Sequence, residues 1–340
     1  MKQYQKEILE AYLAADEQAA KRFRQAFIKA LKKTALKIKM LQMSEIMERL
    51  PQAQTISLET VYGEQLELPQ QRGAVYQRQY QQEITEYIQE PMNELEEEQK
   101  SIFVEAMKVY FIIGALSSLY ELHKQKVPVI LPVKTTPPNI SVGTVTISFS
   151  EVQVAPWYKY IRRDMEELKV KTVADVQRAI AQGKPYNEIA RSMAKSMESG
   201  TGATTSKKAY NKAMTIVRTE GGGIRNEAAY NAMLEAKKAG ADITKQWEAV
   251  LDGRTRDSHR MLDGEIRELE EPFSNGLLYP CQLGGAAAEV INCRCVAMSR
   301  ARWALDEAEL QTQKERAEYF GLDKTKNFEE FKRKYLDIQE

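Results

Sequence analysis

The sequence predicts an α+β protein: an elongated helical N-terminal region with a small β-arm, followed by a small mixed α/β C-terminal domain. Three observations predict it. Apolar residues recur at three- and four-residue steps over most of residues 1–126, the period of helices that bury one stripe. Residues 127–156 switch to proline-punctuated, period-two alternation, the pattern of short strands. From Trp247 to Cys295, turn-forming, charged and aromatic residues crowd together, as in a domain of short strands and tight turns. The expected segments are 1–126 (helical), 127–156 (β-arm or hairpin linker), 157–244 (helical connector), 245–302 (α+β domain) and 303–340 (helical tail).

The 340-residue chain is 43% apolar and 29% charged with a net charge of +1, a balance that supports a real core under a strongly polar surface. Three cysteines, two of them separated by one residue, make a poor disulfide framework and fit synthesis in a reducing cytoplasm. Met1-Lys2-Gln3-Tyr4 leads into a charged helical pattern, so no signal peptide is expected. The most hydrophobic run, Ile102 to Leu119, is interrupted by Glu105 and Lys108. It falls short of the roughly 20 apolar residues a bilayer span needs and reads as a buried helix.

Taken in order, Leu9, Tyr12, Leu13, Ala20, Phe23, Phe27, Ala30, Leu31, Ile38 and Leu41 place one or two long helices over residues 2–50, ended by Pro51. A second helical stretch starts near Gly73, is kinked or restarted at Pro91 and resumes to about Lys126, because proline removes a donor from a helix interior. Prolines at 128, 132, 137 and 138 assign residues 127–156 to edge strands. Thr172 starts and Gly183 ends a further helix; Pro185 opens the next, and residues 200–206 form a linker. A long helix then runs to Ala239, with a break expected at Gly221-Gly222-Gly223. Residues 246–251 read as a strand, 256–262 as a short helix, Ile266 with Leu269 as a second strand, and Val290 to Met298 as a strand carrying Cys293 and Cys295. Phe320, Phe328, Phe331 and Tyr335 anchor a helical tail.

Charge is sharply sorted. Gln18 to Ser44 holds no acidic residue but eight basic ones, Lys21, Arg22, Arg24, Lys29, Lys32, Lys33, Lys37 and Lys39. Gln79 to Gln99 holds no basic residue but seven acidic ones, Glu83, Glu86, Glu90, Glu94, Glu96, Glu97 and Glu98. Either two antiparallel helices lay these faces together, or the basic face meets DNA phosphates or an acidic partner.

Arg218-Thr219-Glu220, Asn226, Trp247, Asp252-Gly253-Arg254-Thr255-Arg256, His259, Leu262-Asp263-Gly264 and Asn292-Cys293-Arg294-Cys295 follow one another in this order. The series resembles the signature of the Mu F-like family of phage head morphogenesis proteins, also called minor head or minor capsid proteins, over roughly residues 185–300. The resemblance implies a low-copy, portal-associated component of a tailed-phage or prophage head, acting in head morphogenesis and DNA packaging or ejection. The implied partners are the portal protein and inner capsid, with packaged double-stranded DNA as a further one. The implied location is the virion, after assembly in the host cytoplasm. Some family members carry a long C-terminal toxin domain, but only about forty residues follow the motif here, too few for one.

Three readings of the motif chemistry stay open. As polar clips, Asp252 and Asp263 make turns with the glycines that follow them, and Arg254, Arg256 and Arg294 offer planar forks to Glu220 or Glu289; Arg218 and Glu220 tie the long helix to the sheet. The cysteines on this reading are small buried thiols, and no cofactor is expected. As a metal site, Cys293 and Cys295 lie on one side of a strand, and His259 with Cys281 completes a Cys₃His set for zinc. As a catalytic site, of a metal-free nuclease or an ADP-ribosyltransferase-like enzyme delivered with the phage genome, His259, Arg254, Arg256 and Glu289 supply acid–base and anion-binding groups.

Overall fold

The computed structural model describes residues 2–53, 72–149, 151–198, 204–302 and 307–338. The fold is a mostly helical α+β one. Long helices α1 (Gln3–Ala53) and α2 (Arg72–Lys124) precede a small sheet of β1 (Val133–Thr136), β2 (Asn139–Val142) and β3 (Val145–Ser148). Then come α3 (Glu151–Ala181), α4 (Tyr186–Ala194) and α5 (Thr205–Lys238). The C-terminal region holds β4 (Ile243–Glu248), α6 (Asp257–Met261), β5 (Ile266–Arg267), α7 (Ala287–Val290), β6 (Val296–Ala301), α8 (Glu307–Tyr319) and α9 (Phe328–Asp337). Both sheets are antiparallel, ordered β1-β2-β3 and β5-β4-β6.

Four local expectations are corrected. α2 is not restarted at Pro91 but runs through it, and Thr172 lies inside α3 rather than capping a helix. α5 is continuous through Gly221-Gly222-Gly223, for a packing reason given below. The last strand starts at Val296, so Cys293 and Cys295 lie in the loop before it; Asn292, at φ 55, turns the chain where an extended strand would have run. The linker expected at 200–206 falls largely outside the described residues.

Two compact units divide the chain. One comprises Arg22–Lys100 and Tyr160–Ala213. Phe23, Phe27, Leu31 and Ile38 of α1 and Ile88, Met92 and Leu95 of α2 are buried in it, and Tyr210 meets Phe27 edge to face at 5.8 Å. The sorted charges are laid together here: Lys29 pairs with Glu98 at 3.1 Å, Lys33 bonds Glu90 at 3.3 Å and also Glu94, and Lys37 bonds Glu90. Such exposed pairs contribute little singly, but together they select which helix faces meet. Three of the eight residues considered for DNA contact are therefore engaged with α2, while Lys21, Arg22, Arg24, Lys32 and Lys39 are exposed.

The other unit comprises Met1–Lys21, Ser101–Lys159 and Met214–Glu340. Residues Ile84–Lys124 form the one described stretch long and apolar enough to cross a bilayer, and 67% of its apolar window is buried inside the protein, as for a core helix. Sheet β1-β2-β3 is pinned at two points. Glu235 of α5 accepts hydrogen bonds from Thr144 N (2.8 Å) and Oγ1 (3.0 Å); Gly143 beside it has φ +59, and a Cβ there would lie 2.4 Å from that carboxylate. The Tyr335 hydroxyl of α9 accepts from Leu131 N and donates to Leu131 O. Lys134 to Thr136 of β1 stay exposed.

Strand β6 is an edge of its sheet, yet its outer backbone groups are met by side chains. Ala297 N donates to Asn226 Oδ1 (2.9 Å), Ser299 N to Glu121 Oε2 (2.7 Å) and Ala301 N to Gln125 Oε1 (3.0 Å). Asn226 Nδ2 donates to Cys295 O (3.1 Å) and Gln125 Nε2 to Ser299 O (2.9 Å). Alternate residues 295, 297, 299 and 301 are thus served, the spacing at which one edge of a strand presents its groups.

Glu121 is fully buried and its Oε1 has no partner among the described residues. Burial pushes its carboxyl up to about 8 from an ordinary 4.5, against the lowering effect of the Ser299 N–H. Between those two pH values the folded state keeps a proton that the unfolded chain has released, so stability is greatest below the lower value and falls as pH rises towards the upper one. Glu121→Gln should therefore match the native chain in melting temperature under acidic conditions and exceed it at about pH 8. Parallel melting-temperature curves for the two proteins across that window would show that Glu121 ionises freely.

Candidate functional site

The motif residues gather around one face of α5 and the β5-β4-β6 sheet. The three glycines of α5 are there for close approach. A Cβ on Gly221 would lie 2.3 Å from Tyr110 Cε2, one on Gly222 would lie 2.9 Å from Cys281 Sγ, and one on Gly223 would lie 3.0 Å from Cys281 O. Each helical glycine costs roughly 1 kcal/mol against alanine, and the packing it permits offsets that cost. Trp247 on β4 is fully buried against Phe273 (5.2 Å, edge to face) and His259 (5.4 Å). The Asp263-Gly264 turn is stitched to β4: Ala249 N donates to Asp263 Oδ1 at 2.8 Å, and Gly264 N, at φ +82, donates to Trp247 O at 2.8 Å.

Asp252 builds the turn that leads into α6 by accepting from Arg254 N (2.8 Å). The same carboxylate is held by both Arg294 nitrogens at 2.5 Å, and the Arg294 guanidinium keeps it well below the usual carboxylate range. This corrects the expected fork partners. Arg294 and Arg254 meet Asp252, not Glu220 or Glu289, and Arg256 donates to Ile291 O. Arg218 reaches Asp16 at 3.0 Å, tying α5 to the start of α1 rather than to the sheet. Thr219 of α5 holds the start of the motif loop, accepting from Asn292 N at 3.0 Å. Burial raises the Glu220 carboxyl, with Lys159 opposing.

At the centre lies a buried His/Cys cluster. His259 Nδ1 is 3.5 Å from Cys293 Sγ and 3.4 Å from Cys295 Sγ, and the three candidate ligand atoms lie within 4.8 Å of one another. The opposite ring nitrogen, Nε2, is 3.0 Å from Glu289 Oε2, which also accepts from Asn275 Nδ2 at 3.0 Å. Cys281 donates to the Cys293 carbonyl at 3.2 Å. Hydrogen bonds from Cys281 and Cys295, with help from His259 and against burial, draw the Cys293 thiol far down. The same contact with Cys293, together with burial, pushes Cys281 and Cys295 up. Burial opposes protonation of His259, but Cys293 and Glu289 outweigh it and raise its pKa. The Trp247 indole N–H has no hydrogen-bond partner among the described residues and lies beside the Cys295 sulfur, whose thiolate it favours. A cavity of about 10 Å³ adjoins His259, Cys293 and Cys295, walled by Thr255, Arg254 and Arg256 among others.

Sequence reading missed Arg225, Glu121, Gln125, Asn275 and Asp16. Arg225 is buried, donates to Cys295 O at 2.7 Å and stacks 4.1 Å from the Tyr12 ring centre. Its signal was available: it lies seven residues after Arg218, hence on the same helix face, directly before Asn226. Glu121, Gln125 and Asp16 carry no such mark.

Residues 171–298 match the family described as Phage Mu protein F like protein. Over this segment, which holds most of the residues whose geometry is given above, the chain is similar to the Mu F-like family. Over 144 residues the chain is 31% identical to Minor head protein GP7 of Bacillus phage SPP1, covering 38% of this chain and 42% of that one. Over 141 residues it is 32% identical to NAD(+)--arginine ADP-ribosyltransferase EFV of Enterococcus faecalis (strain ATCC 700802 / V583), covering 41% and 26%. The chain thus spans less than half the length of either relative. No solved structure matches.

Asn226→Ala should destabilise the protein by about 1–3 kcal/mol, the cost of leaving buried backbone groups unpaired. Chemical denaturation would read this as a lower midpoint at unchanged slope. An unshifted midpoint would mean that the β6 edge is satisfied without Asn226.

Proposed function

We propose that this chain is a minor head protein of a tailed phage or prophage, docking on the portal or inner capsid wall and acting in head morphogenesis and in DNA packaging or ejection. Two observations carry the reading: the match of residues 171–298 to the Mu F-like family, and 31% identity over 144 residues to a relative named as a minor head protein. The site geometry supports a binding role. Asp252, Arg294, Thr219, Asn226 and Asn292 bond one another or nearby backbone, and His259 is only 1% exposed with contacts on both ring nitrogens. A general base needs one nitrogen within reach of substrate, so the enzymatic alternative built on His259, Arg254, Arg256 and Glu289 draws support only from the transferase relative, of which this chain covers 26%. On this reading the chain resides in the virion and touches packaged DNA through the exposed cations Arg22, Arg24, Lys32 and Lys39 of α1.

The direct test is co-purification of the full chain with the portal protein of the same phage, and comparison of heads assembled with and without it. A stable complex and defective heads are expected. Normal heads in its absence, with no association to portal or shell, would remove the proposal.

Removing the first fifty residues is not a usable test of DNA contact, because α1 buries Tyr12, Phe23, Phe27 and Ile38. Point changes serve instead. Alanine at Arg24, Lys32 and Lys39 should weaken duplex binding and flatten its salt dependence, by about 0.9 in the log–log slope for each phosphate that is no longer neutralised. Lys33→Ala, at a residue engaged by Glu90 and Glu94, should leave the slope nearly unchanged. A triple variant that binds duplex as the native chain does would assign the basic face to helix pairing alone.

A further inference from the structure

We infer that His259, Cys293 and Cys295 bind one zinc ion, with a fourth coordination position open to water. The geometry is that of a tetrahedral site before the ion is added. With Zn–S of about 2.3 Å and Zn–N of about 2.0 Å at tetrahedral angles, sulfur and nitrogen ligands stand about 3.5 Å apart. The two Sγ···Nδ1 separations here are 3.5 and 3.4 Å, and all three ligand atoms lie within 4.8 Å of one another.

Three further features fit a metal and not mere thiol packing. Glu289 accepts from the far ring nitrogen of His259 at 3.0 Å, the carboxylate–histidine arrangement that fixes the tautomer and sharpens the ligating lone pair. The buried Trp247 N–H lacks a hydrogen-bond partner among the described residues, and its ring packs edge-on against His259 at 5.4 Å, so the cluster has an uncommitted donor in its wall. Charge is also balanced: two thiolates offset Zn²⁺, so Arg225, Arg254 and Arg294 nearby are not opposed by net positive charge. Buried sulfurs with no ion would need only apolar walls, and a histidine wedged between them would be a burden.

Cys281 is not a ligand in this assignment. Its thiol is committed to the Cys293 carbonyl at 3.2 Å, and it does not line the small cavity that adjoins the other three. That cavity, about 10 Å³, holds roughly one water-sized species and opens the fourth position toward Thr255 and the arginines. Ion binding releases the remaining thiol protons to solvent and couples metal affinity to folding of the loop that joins α7 to β6.

The test uses the full chain, purified without chelator, under reducing conditions and without a histidine tag. Elemental analysis should give about one zinc per chain, falling to background in His259→Ala and Cys293→Ser. Should those variants fail to fold, the native chain decides: after chelation its melting temperature should fall, recover with Zn²⁺, and with Co²⁺ show the intense visible and sulfur-to-metal charge-transfer bands of a thiolate-ligated tetrahedral ion. Background metal in the native protein together with no such cobalt bands overturns the site. Cys281→Ser should retain its zinc; loss of the metal in a folded Cys281→Ser chain overturns the open, three-ligand assignment.

Discussion

The outer edge of β6 is the constraint on which the Mu F-like segment depends. A three-stranded sheet has two edges, and a buried edge must have its N–H and C=O groups met. No fourth strand covers this one among the described residues. Side chains of α5, of α2 and of the turn just after α2 take its place: Asn226 presents an amide that copies a neighbouring backbone, Gln125 does the same further along the strand, and Glu121 and Arg225 fill the remaining positions. Such short side chains can reach only if the helices come close. A Cβ on Gly114 of α2 would lie 2.0 Å from the Arg225 carbonyl oxygen, so the two helices meet there with backbone nearly touching. Gly221 and Gly222 extend the same close approach toward Tyr110 and Cys281. Edge satisfaction, glycine placement and the position of the cysteine cluster are thus one problem with one solution.

Apolar burial alone cannot specify a domain this rich in loops. Its own cluster is small: Trp247, Ala249, Leu262, Phe273, Leu277 and the three cysteines, with Val290 packed against it. Polar clips supply the geometry that a larger core would supply elsewhere. Asp252 is the best example, since one carboxylate both folds the turn into α6 and receives the Arg294 fork from the cysteine loop. Lys245 on β4 is another, a fully buried ammonium bonded to Leu269 O at 2.7 Å beside the Tyr230 and Phe273 rings, where burial lowers it to about 8. Buried polar groups of this kind stabilise little in net terms but penalise every arrangement in which they go unpaired.

What could be read from the sequence follows from the range of each interaction. Helices α1, α2 and α5 were legible because their apolar periodicity is local, and the sorting of like charges onto α1 and α2 offered their meeting as one of two readings. The continuous passage through Gly221-Gly222-Gly223 was not, since glycine weakens a helix locally while the reason for it, Cys281 and Tyr110, lies about sixty and one hundred and ten residues away. The Cys-x-Cys spacing reads equally as a strand or as a loop with both sulfurs turned inward, and the positive φ of Asn292 decided for the loop. The partners of Arg254 and Arg294 were misassigned for a similar reason: any carboxylate satisfies a guanidinium on paper, and only the fold shows that Asp252 is the one in reach. Gln125 and Glu121 were invisible, because nothing in a helical Glu-x-x-x-Gln announces that it faces a strand edge.

His259 is where structure and chemistry have to be reconciled. A histidine that moves protons keeps one nitrogen for an orienting partner and leaves the other facing substrate. Here Glu289 takes Nε2, and the two sulfurs share Nδ1 in a setting that is almost fully enclosed. The same enclosure holds donor atoms at metal-ligand separations, and the loop from Asn292 to Cys295 is fastened from outside by Thr219, Asp252 and Asn226. A ring so placed is oriented to coordinate. On the zinc assignment it ties α6 to the cysteine loop, which Thr219, Arg225 and Asn226 in turn bond to α5.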